Sequence, residues 1–112
     1  MSLRLARGDS SDLIELIRLE RRTFAAKLRM ARAVLGWSQG ELASRAGLTQ
    51  RAVHKLEQGD TEPRRMTACV IETIWREQGL EFEETGDGGF QVVVRPALLN
   101  QSVAKPAKRG RH

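Results

Sequence analysis

From residue 12 to residue 35 no glycine or proline interrupts the chain, and apolar residues recur at helical intervals. A polar cluster at Gly8–Asp12 opens this stretch, and Ser10 or Ser11 can cap a helix there. Leu13, Ile14, Leu16, Ile17 and Leu19 then make a broad apolar band, and Phe24–Leu35 continues the pattern. Thr23 is a competing start, because its hydroxyl can accept from the freed N–H groups of a new helix. The pattern therefore allows one long helix or two consecutive ones.

Beyond Leu35, Gly36, Gly47, Gly59 and Pro63 divide the chain into short helical segments, Gln39–Ala46, Gln50–Gln58 and about Arg65–Gln78. Segments this short, joined by connections this short, pack as a cluster of crossing helices. The period then changes. Leu80-Glu81-Phe82-Glu83 alternates apolar and charged, Gly86-Asp87-Gly88-Gly89 supplies turn chemistry, and Phe90-Gln91-Val92-Val93-Val94 is rich in β-branched residues before Pro96. That sequence predicts a β-hairpin. The organisation expected is an N-terminal helical extension at 1–22, a helical domain at 23–79, the hairpin at 80–96 and a disordered tail at 97–112. The fold class is mainly α, with four to five helices and a C-terminal β-hairpin.

The most informative stretch runs from Ser38 to Gly59. Ser38 and Glu41 have the spacing of a capping box, in which Ser38 accepts from the N–H of Glu41 and Glu41 reaches back to the N–H of Ser38. Leu42 and Ala46 face inward at helical spacing, and the small Ala43 lets a second helix cross close by. Gly47 suits the positive φ of a sharp turn, Leu48 plugs that turn into the core, and Thr49 is a good N-cap for the next helix. That helix buries Val53 and Leu56 and opens Gln50, Arg51, His54 and Lys55 to solvent. Gly59 closes it.

These residues resemble the phage-repressor-like helix-turn-helix family, the Cro and repressor type often called XRE. The resemblance is carried by Leu35-Gly36-Trp37-Ser38-Gln39, Glu41-Leu42-Ala43, Gly47-Leu48-Thr49-Gln50 and Val53 through Gly59. With the flanking helices it covers about half the chain. It implies a repressor-like DNA-binding domain whose recognition helix lies at about Thr49–Gln58. Gln50, Arg51 and Lys55 then occupy the positions that face base edges in the major groove, while Ser38, Gln39 and Thr49 occupy phosphate-contact positions. Arg32 and Glu57 match a family ion pair between the first helix and the end of the recognition helix. Arg64 and Arg65, beyond the loop, are either further phosphate contacts or ordinary surface arginines.

Composition agrees with this reading. Nineteen Lys and Arg against fourteen Asp and Glu give a net charge of +5, which suits a polyanionic partner, nucleic acid before membrane. An aromatic fraction of 4% with no tyrosine leaves a core of Leu, Ile, Val and Ala, as compact helical domains have. Cys69 is the only cysteine, so no disulfide framework or Cys-based metal site can form within one chain, and its apolar neighbours suggest a small buried side chain. No spacing typical of a nucleophile–base pair, a metal site or a phosphate loop occurs, so neither an enzyme nor a cofactor is expected. The N-terminus lacks the uninterrupted apolar run of a signal peptide and no stretch could span a bilayer, which makes a cytoplasmic location the expectation.

The function these features predict is a transcriptional regulator of double-stranded DNA, most simply a repressor binding a palindromic operator as a homodimer. Two elements could join the copies: the 12–22 helix or the 80–95 hairpin. The hairpin carries Glu81, Glu83, Glu84 and Asp87, which makes it a poor DNA surface. Either element could instead hold another protein, as in an antitoxin or controller protein that represses its own operon. A further alternative is an interaction module that kept this fold without binding DNA. The tail, with Lys105, Lys108, Arg109 and Arg111, either attracts phosphates or only aids solubility.

Overall fold

A computed structural model describes residues 10–100. The elements run α1 (Ser10–Leu35), α2 (Gln39–Ala46), α3 (Gln50–Glu57), α4 (Arg65–Gln78), β1 (Leu80–Glu84) and β2 (Phe90–Val94). One continuous helix of 26 residues passes through Thr23, so the hydroxyl there starts no second helix. The core gathers Leu28, Ala31 and Leu35 of α1, Leu42 and Ala43 of α2, Val53 and Leu56 of α3, and Ile71 and Trp75 of α4. Trp37 is buried with them, beneath the turn between α1 and α2.

The strands pair antiparallel, with Leu80 opposite Val94 and Glu84 opposite Phe90. Their turn is tied by the Asp87 carboxylate, which accepts from the Thr85 hydroxyl and from the Gly89 N–H at 3.0 Å. A ladder of rings fastens the hairpin to the helices. Phe24 lies 6.2 Å from Trp75, Trp75 meets Phe82 edge-on at 5.1 Å, and Phe82 meets Phe90 at 5.7 Å. The Lys27 ammonium sits over Phe82 and Phe90 at 5.8 and 5.2 Å, a cation–π arrangement that closes the ladder from α1.

Three local expectations are revised. Cys69 is exposed: on α4 the buried stripe passes through Ile71 and Trp75, and Cys69 falls outside it. The capping box at α2 is half made. Ser38 accepts from the Glu41 N–H at 3.0 Å, but the Glu41 carboxylate turns along the helix to Arg45 at 2.7 Å, the usual i,i+4 partner. At the C-terminal side, 96–100 is a helical turn rather than the start of a structureless tail, and Leu98 is buried against Gly79. Lys105, Lys108, Arg109 and Arg111 lie outside the described residues.

Candidate nucleic-acid interface

Helix α2 ends at Gly47, whose φ of 70° is left-handed and whose N–H returns to the Ala43 carbonyl. The chain turns sharply, and the Leu48 N–H also reaches Ala43 O at 2.8 Å. Thr49 then caps α3 with its hydroxyl, which accepts from the Ala52 N–H at 3.0 Å. Leu48 is packed against the core, so the turn is anchored from inside. The result is two short helices joined by a sharp turn, with the small Ala43 buried in the core they share.

One side of α3 is fixed by a network of charged and polar groups. Arg32 forms a two-pronged ion pair with Glu57, Nε to Oε2 at 2.6 Å and Nη2 to Oε1 at 3.0 Å. Gln39 donates to Glu57 Oε1 at 2.9 Å, linking the start of α2 to the end of α3. Arg29 donates to the Glu57 carbonyl and Arg32 to the Trp37 carbonyl. Arg29 thus places a cation at the C-terminus of α3, where the helix dipole favours one. Glu57 is only 6% exposed. Burial is the largest single influence on its carboxyl and resists ionisation. The hydrogen bonds from Arg32 and Gln39, with the charges of Arg32 and Arg29, outweigh it and hold the pKa below the ordinary glutamate value. The Glu57 hydrogen bond correspondingly raises Arg32, against the opposing effect of desolvation.

The other side of α3 is open. Gln50, Arg51, His54 and Lys55 are all exposed, and so is Gln58. The Gln50 side chain lies over Gly40 of α2, where an added Cβ would come within 3.4 Å of its Oε1. Of the residues expected at phosphates, Ser38 and Thr49 are exposed while serving as caps, and Gln39 is half-buried with its amide committed to Glu57. Arg64 and Arg65 are exposed at the start of α4, where Arg64 makes no side-chain cap.

Several residues of this region escaped sequence reasoning. Arg29 and Arg21 were given no role, yet each donates to a backbone carbonyl at or beyond the end of α3, Arg21 to Asp60 at 3.3 Å. Their spacing from Arg32 on one helix face was the available signal. Arg45 stacks over Trp37 at 4.3 Å, a contact between residues that no local pattern connects. His54 is exposed on the open side of α3, as its sequence position implied, with Nδ1 3.3 Å from the Gln39 amide nitrogen.

A short helix, a tight left-handed glycine turn and a second helix with one locked and one polar open face define a helix-turn-helix, the motif that DNA-binding proteins set into the major groove. Residues 23–72 match the family model described as a helix-turn-helix domain. A search of the curated proteins gave no match. Among the described residues no helix is long and apolar enough to cross a membrane, and no group of His, Cys, Asp and Glu is placed to hold a metal ion.

Proposed function

We propose that this protein is a sequence-specific regulator of transcription, a repressor that binds a palindromic operator as a homodimer. The observation that carries this reading is the division of α3 into two faces. Val53, Leu56 and Glu57 are buried and pinned to α1 and α2, while Gln50, Arg51 and Lys55 project into solvent. A helix held this rigidly can enter a major groove without losing much further freedom. Gln50 suits adenine, whose N6 and N7 it can engage together, and Arg51 and Lys55 suit guanine O6 and N7. Thr49, Ser38, Arg64 and Arg65 would contact phosphates on either side and set the register. In this role Gln39 acts through Glu57, orienting α3 while leaving its own backbone N–H at the start of α2 to face a phosphate.

Selection of bound duplexes from a random pool tests this. The expected result is an enriched motif of two inverted half-sites. Recovery of no motif at low salt would overturn the sequence-specific reading, and a motif without inverted symmetry would overturn the homodimer.

A further inference from the structure

The N-terminal half of α1 carries an apolar band that the described fold leaves open. Leu13, Ile14 and Leu19 are 49%, 48% and 51% exposed, with Leu16 and Ile17 half-buried beside them. A groove of about 450 Å³ extends the same surface towards the hairpin turn, lined by Leu16, Leu19, Phe24 and Phe90 among others. Contiguous apolar surface of this kind marks a site of association.

We propose that the same band of a second copy covers it, the two α1 helices packing antiparallel about Leu16. Helix length supports this occupant. At 1.5 Å per residue, Ala25 would stand about 27 Å from its counterpart along the helix axis, Arg29 about 39 Å and Arg32 about 48 Å. Those residues hold the end of α3: Arg29 and Arg32 bind Glu57, and an added Cβ on Gly59 would touch Ala25 at 3.6 Å. Two recognition helices reading successive faces of one duplex need about 34–36 Å, which falls within that range. This argument rests on the DNA-reading role proposed above; the open band does not.

The arginines of α1 support the same geometry. Arg18, Arg21, Arg22, Arg29 and Arg32 fall within an arc of about 100° on the helix. This is the side on which the loop after α3 rests, with Gly59 against Arg22 and Ala25. A two-fold axis perpendicular to a pair of antiparallel helices keeps the same flank of each on one side. The exposed Arg18, Arg22 and Arg29 of both copies would therefore look the same way as both α3 helices, towards the phosphates between the half-sites. Pairing through the β1 edge of the hairpin is disfavoured by charge, because Glu81, Glu83 and Glu84 would be brought together across the axis.

Light scattering on the full chain should give twice 12.6 kDa, and L13E/I14E should return it to 12.6 kDa with helix content by circular dichroism unchanged. Both positions are half exposed, so charge there is compatible with the monomer fold. Orientation is tested separately in the C69S background. Mixed Leu13→Cys and Leu19→Cys chains should cross-link to each other in preference to themselves, whereas parallel pairing gives the opposite preference. A wild-type monomer at high micromolar concentration overturns the proposal and assigns the band to another occupant, such as residues 1–9 or a different protein. A dimeric L13E/I14E overturns it in favour of the hairpin or another face. Neither mass measurement uses DNA, so failure here is distinct from failure to bind an operator.

Discussion

Replacing Glu57 by alanine strikes the point where three elements meet. The carboxylate accepts from Arg32 through two bonds and from Gln39 through a third, at 2.6, 3.0 and 2.9 Å. Glu57→Ala leaves Arg32 with only the Trp37 carbonyl at 3.0 Å and leaves the Gln39 amide with only the His54 Nδ1 contact at 3.3 Å. Removing one partner of a fully buried pair costs about 3–5 kcal/mol. The Arg32 side chain is 25% exposed and can recover part of its hydration, so we expect about 2–3 kcal/mol. For a domain of this size that lowers Tm by roughly 10–20 °C. Glu57→Gln keeps the shape and part of the hydrogen bonding and should cost less. Thermal unfolding followed by circular dichroism reads both. If Glu57→Ala shifts Tm by less than about 3 °C, the pair is not a structural anchor and the reasoning fails. A double-mutant cycle with Arg32→Ala should give a coupling near the loss caused by either single change.

Acid should find the same weak point. Because the folded Glu57 carboxyl titrates below its unfolded value, the native state binds fewer protons, and its contribution is full above the ordinary glutamate pKa of about 4.3. It should disappear as pH falls through the depressed folded value, and Glu57→Gln should flatten that part of the stability–pH curve; an unchanged slope would refute it. Gly79 has φ 96°, and an added Cβ would come within 3.2 Å of Leu98 Cβ, whereas Gly47 at φ 70° has open space. Gly47→Ala should cost about 1–2 kcal/mol from the left-handed backbone alone, and Gly79→Ala should cost more in urea unfolding. Arg51→Ala should relax selectivity at one or two base positions, worth about 1–3 kcal/mol of discrimination, with Tm unchanged. Arg65→Ala should instead weaken all sequences alike and reduce the salt dependence of binding by about one charge.

The order of elements was legible in the chain because each is punctuated locally. Gly47 and Thr49 supply a left-handed stop and a capping hydroxyl, which act over three or four residues and need no tertiary partner. The switch from helical period to alternation at Leu80 announced the hairpin for the same reason. The open residues of α3 followed from its buried Val53 and Leu56, since a helix that fills one side leaves the other. The Arg32–Glu57 pairing was legible only through family resemblance, because the partners stand 25 residues apart.

Tertiary structure decided what happens where two elements compete for one side chain. Local spacing gave Glu41 a backbone cap at Ser38, but its carboxylate pairs with Arg45 instead. Thr23 had the chemistry of a helix start, yet packing of Phe24 and Leu28 on one continuous face carries the helix through it. Cys69 sits in an apolar run, but the direction from which the body meets α4 places Ile71 and Trp75 inside and Cys69 outside. The capture of the end of α3 by Arg29, and the seating of Leu98 against Gly79, depend on elements brought together from distant parts of the chain. Sequence by itself determined the elements and the chemistry of the open face of α3, because short-range caps and periodicity act within a few residues. Only the assembled fold determined which charges hold that face still, because those contacts exist once the helices have crossed.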